Sequence, residues 1–505
     1  MTGELEFLLK TAQSLIRQRK LAAAETLLLD EYKKWANYPL INLALGEIFF
    51  LKDNIAASLQ YLKIAYENGE NIPSVVVYYA EKLRLNDETI RAKEVLQIAI
   101  LNRPCDKGLL ESYANFCLTD QNPLESLKFN LRILLLFPND STGHTNIAEA
   151  YAALDNYEKS LEHQNIAIKY DTRSQVKLNR AITLLTLNQY QEGWAEYENR
   201  LGDDIISSPR RRLSVPRWNR QPLQNKTILV CSEQGVGDEL YFSSYLPRLI
   251  EISGRIILET DPRLTQLFRE SLKELAVFPY SRRLKYNQPI FNYGWLPKYI
   301  YPDFYIDLAS LPHLLYEEGM KPLNKFGYLK ISKEAHDYWS KYLFEISSGR
   351  PIVGLCWRSG LNTIDRQHFY PPLHLWERIL TTPDICFLSL QYDDDIEDIR
   401  FFKEQFNVSL IKLSDIDLKN DFEKLGAICT ALTGVIAPST TVAHLAAAVG
   451  KRTIIIEKTR TWSPILNGFD AFLPCIRRIF PPNAGDWEWV FNCARKELNN
   501  WLSTK

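Results

Sequence analysis

Residues 1–30 set leucines among charges at helical spacing, and small residues recur through the first two hundred positions at a longer interval. Ala12, Gly46, Ala80, Ala114 and Ala148 stand 34 apart, with Ala181 one residue short. A second series, Ala24, Ser58, Ala92, Ser126 and Ser160, keeps the same period, Pro104 and Pro138 mark the same phase, and Tyr157 and Tyr190 repeat at 33. Such spacing predicts helix pairs. A small residue on each helix permits close approach, and the proline ends one unit before the next begins. From Thr227 the pattern switches to short apolar runs of β type: Thr227–Ser232, Arg255–Thr260, Pro351–Trp357, Cys386–Gln391, Leu432–Pro438 and Thr453–Lys458. Helical stretches separate them, for example around Tyr241–Ile252 and Val442–Val449.

A 34-residue period with small residues on both helices is the signature of a TPR-like α-solenoid. Stacked units bury their core between neighbours and leave a concave face, here expected to bind a protein or peptide, with a passive scaffold or dimerisation surface as the alternative. Strands alternating with helices predict parallel sheets covered on both faces. The division expected is repeats over 1–201, a linker over 202–226 and two lobes over 227–335 and 336–505. The last helix is a candidate to return to the first lobe. Parallel sheets bind ligands at the carboxyl ends of their strands, which directs attention to the residues that follow each strand.

Three constellations lie there. Glu233-Gln234-Gly235-Val236-Gly237-Asp238-Glu239 follows the first strand. Gly235 and Gly237 permit a tight turn against a ligand, and Glu233, Asp238 and Glu239 are candidates for a general base. An ordinary strand-to-helix turn with Asp238 as a cap is the plainer reading. The second constellation holds Arg358, Ser359 and Gly360, followed by Arg366 and His368. Arginines at the end of a buried strand suit phosphate or carboxylate, although a salt bridge in a solvated loop accounts for Arg358 equally well. In the third, Ser439, Thr440 and Thr441 open an alanine-rich helix that carries His444. Hydroxyls and free amides at a helix N-terminus suit a phosphate group; a capping sequence with nothing bound is the alternative. Asp393-Asp394-Asp395 reads as a solvated loop or helix-capping cluster rather than a metal site, and no metal or other cofactor is expected.

Composition narrows the function classes. The formal net charge of the 505 residues is -1, so no global field favours nucleic acid or an anionic membrane. The run Pro209-Arg210-Arg211-Arg212 reads as solvated linker rather than an anion or partner contact. No window approaches the ~18 apolar residues of a membrane helix, and no secretory signal is seen, which predicts a cytoplasmic protein without membrane insertion. The eight cysteines form no C-x-x-C pair and are expected as small core residues in a reducing compartment.

Asn179-Arg180-Ala181 through Trp194-Ala195-Glu196-Tyr197-Glu198, Pro216-Arg217-Trp218, Glu233 to Asp238, Glu259-Thr260-Asp261-Pro262-Arg263-Leu264 and His444 to Lys451 together resemble TPR-containing glycosyltransferases of the GT-B fold, related to heptosyltransferase-like enzymes. The resemblance covers nearly the whole chain. It implies two Rossmann-like lobes and metal-independent transfer of a sugar from a nucleotide-sugar donor. Asp238 matches the family's catalytic carboxylate. Trp357-Arg358-Ser359-Gly360-Leu361, His368-Phe369-Tyr370 and Leu390-Gln391-Tyr392 resemble flagellin-modifying members that transfer nonulosonic (sialic-like) acids. The resemblance thus implies a CMP-activated donor, a protein acceptor such as flagellin held by the repeats, and a donor cradle that includes Gln391. The family usually has Asp-Thr before the anion-binding helix, and Ser439 stands at the position of that aspartate. Its loss is compatible with a donor that already carries a carboxylate, which an aspartate would repel. Two alternatives stay open: a non-enzymatic TPR adaptor with a degenerate transferase domain, and a heptosyltransferase-like enzyme acting on a glycolipid.

Overall fold

The computed structural model describes residues 3–285, 287–297, 301–316, 327–360, 369–414 and 416–503. The chain divides into two compact units, Met1–Leu154 and Asp155–Lys505.

The first unit is a TPR-like solenoid of antiparallel helix pairs, running from Gly3–Arg17 to Ser141–Ala153. The small-residue series does the packing: Ala12, Ala24, Ser58, Ala92 and Ala114 are all fully buried. At Gly46 a Cβ would lie 2.6 Å from the Leu62 side chain, and Ser58 Oγ donates to the Gly46 carbonyl at 2.7 Å, so glycine lets Leu62 and Ser58 close on this helix. The turns carry a third periodic series. Arg19, Asp53, Asp87 and Gln121 end helices with φ between 57° and 61°, and Asp155 and Asn188 continue the phase in the second unit. None of these is glycine; short polar residues such as Asp and Asn tolerate the left-handed region best. Asn54 and Asn122 then cap the following helices, accepting from Ala57 N at 3.1 Å and Glu125 N at 3.2 Å.

The second unit opens with three more helices of the repeat pattern, Tyr157–Tyr170, Ser174–Thr186 and Tyr190–Tyr197. The last two share one core with the sheets that follow, and Tyr157 of the first bonds Thr459 at 3.0 Å. The domain boundary expected at residue 201 therefore differs from the packing boundary at Leu154. Trp194, 1% exposed, stacks on Phe472 with ring centroids 5.7 Å apart and meets Phe242 and Trp462 edge-on at 6.1 and 6.0 Å.

Two sheets make up the rest, the first parallel and the second parallel with an antiparallel edge at Ile465–Leu466 and Phe469–Asp470. In the first, β1 (Thr227–Cys231), β2 (Arg255–Thr260), β3 (Leu275–Pro279) and β6 (Phe304–Asp307) lie in the order β3-β2-β1-β6, and a separate hairpin pairs β4 (Ser281–Lys285) with β5 (Gln288–Asn292). The second holds β7 (Ile352–Leu355), β8 (Cys386–Ser389), β9 (Gly434–Ala437), β10 (Thr453–Ile456), β11 (Ile465–Leu466), β12 (Phe469–Asp470) and β13 (Ile476–Ile479), in the order β11-β12-β13-β10-β9-β7-β8. Strand order reverses between β1 and β6 and again between β7 and β9, which makes two switch-point crevices at carboxyl ends. All six strands read from the sequence form, each within three residues of the expected ends. The missed strands include β3, β6 and β13, whose apolar residues are interrupted by Pro279, Asp307 or the pair Arg477-Arg478.

Two expectations fail. Residues 202–226 are not a free linker: Arg210 N donates to Pro289 O at 2.8 Å, Trp218 N donates to Tyr305 O at 2.8 Å, and Tyr305 N returns a bond to Pro216 O at 3.1 Å, which adds the segment beside β5 and β6. The final helix, Trp487–Ser503, does not return to the first sheet. Its Val490, Phe491, Ala494 and Leu498 join the core under β7, β9 and β10, because its apolar stripe fits that face. No helix among the described residues is long and apolar enough to cross a membrane.

Two stability outcomes follow from this packing. Trp194→Ala is expected to cost about 3–5 kcal/mol, the range for removing a buried Trp, measured by chemical denaturation. A chain beginning at Asp155 is expected to fold with a cooperative melt. One beginning at Ser208 is not, since it lacks Trp194 and Tyr197 and strips Arg200 from the buried Glu233.

Candidate functional site

The two crevices are brought together by a contact between two helices. Helix Val236–Phe242 leaves the first sheet and helix Thr441–Ala448 leaves the second, and they pack against each other near their N-termini. His444 Nδ1 lies 3.0 Å from the Gly237 carbonyl, which requires the imidazole proton on Nδ1. A Cβ on Gly237 would come within 3.2 Å of Thr441 Oγ1, so the glycine permits the approach. The first and third constellations thus meet, with Asp238 half-buried in the first turn of its helix and Ser439 exposed beside the other.

The carboxylates take different parts. Glu233 sits at the β1/β6 crevice, where it receives a forked pair from Arg200, Nε at 2.9 Å and Nη2 at 2.8 Å, and the amide of Ala309 at 2.9 Å. That pair uses both carboxylate oxygens, and burial raises the carboxyl's pKa against the pull of Arg200. Glu239 is buried too. It accepts from Ser232 Oγ at 2.6 Å, from the Thr260 hydroxyl and from the amide of Asp261, and burial pushes its pKa up to about 7. Its bonds tie the ends of β1 and β2 and leave it no route to a substrate proton. Asp238 lies at the junction in the first turn of its helix with partial exposure; its Oδ2 lies 3.5 Å from where a Cβ on Gly235 would stand.

The second constellation is internally engaged. Arg358 Nε pairs with Asp393 at 3.1 Å, Nη1 with Asp398, and Nη2 with the Asp394 carbonyl at 2.7 Å. The guanidinium expected to face a donor phosphate is thus committed to carboxylates. Gln391 Oε1 accepts from the amides of Trp357 and Arg358 at 3.0 and 3.2 Å, and its Nε2 donates to Arg358 O at 2.9 Å and Asp393 at 2.7 Å. Both ends of that amide are used, so it braces the loop rather than offering a ligand contact. Asp395, read as part of a solvated cluster, is buried and accepts from Ser389 Oγ at 2.8 Å and from Lys412. The Tyr392 ring covers Gly360, 2.8 Å from a Cβ placed there, and Tyr392 takes a hydrogen bond with Ser359. Arg366 and His368 lie outside the described residues. Among the described residues, no group of His, Cys, Asp or Glu has the arrangement of a metal site.

At the β7/β9 crevice the Thr440 side chain caps its helix, accepting from Ala443 N at 3.5 Å. The Cys356 thiol, which hydrogen-bonds Thr440, is pushed up to about 12 by burial. His444 is buried against Tyr241, ring centroids 5.2 Å apart, and its Nε2 has no partner among the described residues. Burial, with the Arg478 charge adding to it, drives the imidazole pKa down to about 3, so the ring is neutral at working pH. Beneath it, the Tyr241 hydroxyl donates to Asp470 at 3.1 Å, and Arg478 bonds Asp470 and Glu457 at 2.7 Å each. Sequence reasoning missed Arg200, Arg211, Asp470 and Arg478. The three arginines gave no signal beyond ordinary charge, and Arg211 sat in a run that reads as solvent-facing.

With this geometry established, the chain was compared with known proteins. No protein-family model matches it. It is similar to Protein FlbA of Caulobacter vibrioides, 29% identical over 430 residues that cover 83% of this chain and 71% of that protein. Among solved structures, a tetratricopeptide repeat protein from Parabacteroides merdae covers 39% of this chain and 78% of its own, at 18% identity and a TM-score of 0.34. PilF of Pseudomonas aeruginosa covers 39% and 89%, at 11% identity and a TM-score of 0.34.

The buried imidazole gives a pH signature. The unfolded histidine binds a proton below its ordinary pKa of about 6.5, whereas the folded one resists until about 3. The unfolded state therefore holds more protons in this window, and stability falls as pH drops through it. His444→Asn should flatten the fall between those limits, as read from urea melts at several pH values.

Proposed function

We propose that the chain is a glycosyltransferase of the GT-B type, one that moves a sugar from a nucleotide-activated donor to a hydroxyl of a protein acceptor engaged by the helical repeats. The observation that supports it best is the Gly237–His444 contact at 3.0 Å, because it sets a half-buried carboxylate, Asp238, beside the hydroxyl-bearing N-terminus of helix Thr441–Ala448. The length of the likeness to the Caulobacter protein, 430 residues, exceeds the repeats and so takes in the sheets as well.

In this reading Asp238 removes the proton of the acceptor hydroxyl as its oxygen attacks the anomeric carbon. The bond from that carbon to the donor phosphate breaks. Ser439, Thr441 and the free amides of the helix end hold the departing phosphate. Thr440 acts through the cap it provides, and His444 positions the two helices rather than exchanging protons. Ser439, in place of the family aspartate, leaves room for a donor bearing its own carboxylate, as a CMP-nonulosonate does; flagellin is the acceptor the resemblance implies. The enzyme would work in the cytoplasm.

A second reading, a non-enzymatic adaptor, is favoured by one observation: Arg358 and Gln391 are spent on internal bonds. Donor turnover separates the two. Asp238→Asn should retain the wild-type melt and nucleotide binding while transfer falls by ~10²–10⁴-fold, the usual contribution of a general base. Transfer at the wild-type rate in the variant would remove Asp238 from the mechanism. Failure of the wild-type protein to turn over any nucleotide sugar, or to be stabilised by any nucleotide, would favour the adaptor.

A further inference from the structure

Within the second unit a cavity of ≈ 990 Å³ opens between the end of the last repeat helix and the segment that runs beside β5 and β6. Its wall holds four guanidiniums, Arg210, Arg211, Arg212 and Arg217. Two are committed. Arg211 is inserted at the carboxyl ends of the first sheet, bonding the Ser232 carbonyl, Glu259 at 2.8 Å and Asp307 at 3.0 Å. Arg217 is shared between Glu198 at 2.5 Å and Ser310 at 2.6 Å.

Arg212 alone of the four is without a partner among the described residues. Arg212 is exposed and has neither an ion pair nor a hydrogen bond among the described residues. Arg210 is held more firmly: its guanidinium pairs with the exposed Asp203 carboxylate at 2.7 Å, donates to the Asp203 carbonyl at 2.6 Å and reaches the Gln288 amide oxygen at 2.7 Å. Arg210 is fixed by its backbone, bridging to Ile290. In an extended segment residues two apart share a face, which places Arg210 and Arg212 together while Arg211 turns to the sheet. Three carboxylates also line the wall, Glu198, Asp203 and Asp307, so the surplus of positive charge is small. A surplus of that size suits isolated carboxylates more than a diphosphate. The volume is far beyond what a lone inorganic ion fills.

We propose that this cavity binds a carboxylate-bearing segment of a protein chain, with Arg212 as the forked donor and Arg210 beside it. The inference does not depend on transfer chemistry; where transfer holds, it gives the acceptor an acidic segment away from the reacting hydroxyl.

Binding is measured without donor, so it fails or succeeds independently of catalysis. The probe is a short fluorescein-labelled glycine–serine peptide carrying two spaced glutamates, read by anisotropy on the full chain, with the two-glutamine version as control. The glutamate peptide should bind more tightly, and more weakly as salt rises. Arg212→Gln and Arg212→Glu should weaken it about tenfold or more, the scale of one charge-assisted hydrogen bond, with unchanged melting temperatures because Arg212 holds nothing in the fold. Equal affinity in both variants, equal affinity for the glutamine peptide, or displacement by inorganic phosphate as effective as by unlabelled peptide would each overturn the proposal.

Discussion

The second unit depends on the burial of Trp194. This side chain comes from the last repeat helix, yet its neighbours Phe242, Trp462 and Phe472 lie in the helix that follows β1 and in the loops around β11 and β12. Large aromatics bury the most apolar area per residue and prefer edge-on or offset contacts, and both occur here. A single indole therefore joins the repeat helix to connecting segments of both sheets. Tyr241 extends the same cluster to His444, with ring centroids 5.2 and 5.1 Å from His444 and Phe472. The junction between the two crevices is thus built on the repeat helix as much as on the sheets.

Around this apolar centre runs a chain of buried ions. Asp307 meets Arg211 and Arg217, Arg217 meets Glu198, Glu198 meets Arg200, and Arg200 meets Glu233. Each charge is satisfied by a neighbour, which is the condition under which burial is tolerated. The cost is functional: a carboxylate locked to a guanidinium is a poor base, and a guanidinium locked to carboxylates is a poor phosphate ligand. Of the residues first singled out by type and position, Glu233 and Arg358 are paired in this way, and Glu239 and Gln391 are held by neutral hydrogen-bonding groups and, for Gln391, by Asp393. Asp238, Ser439, Thr441 and His444 remain about the junction.

Much of the architecture was legible beforehand because it rests on local periodicity. Close helix crossings demand small residues at fixed intervals, so Ala12, Ala24, Gly46 and Ser58 announce the pairs. Buried parallel strands demand continuous apolar runs, so β1, β2, β7, β8, β9 and β10 are visible. The turn series at Asp53, Asp87 and Gln121 has the same period but went unread, since side-chain type signals a left-handed residue weakly when it is not glycine. β6 and β13 were hidden for a related reason. They carry Asp307 and Arg478, whose charges are neutralised by residues outside their own strands.

The sequence by itself determined the repeat phase, the change to parallel sheets and the places where loops follow strands, because these obey spacings of two, 3.6 and 34 residues. Only the tertiary structure decided which polar side chains are free. Whether an arginine meets a phosphate or a carboxylate, and whether a basic run is solvated or threaded into a sheet, depends on partners far apart in the chain: Arg211 with Glu259 and Asp307, Arg200 with Glu233. Pairing across such separations leaves no periodic trace, since electrostatic partners are chosen by proximity in the fold rather than by interval in the sequence.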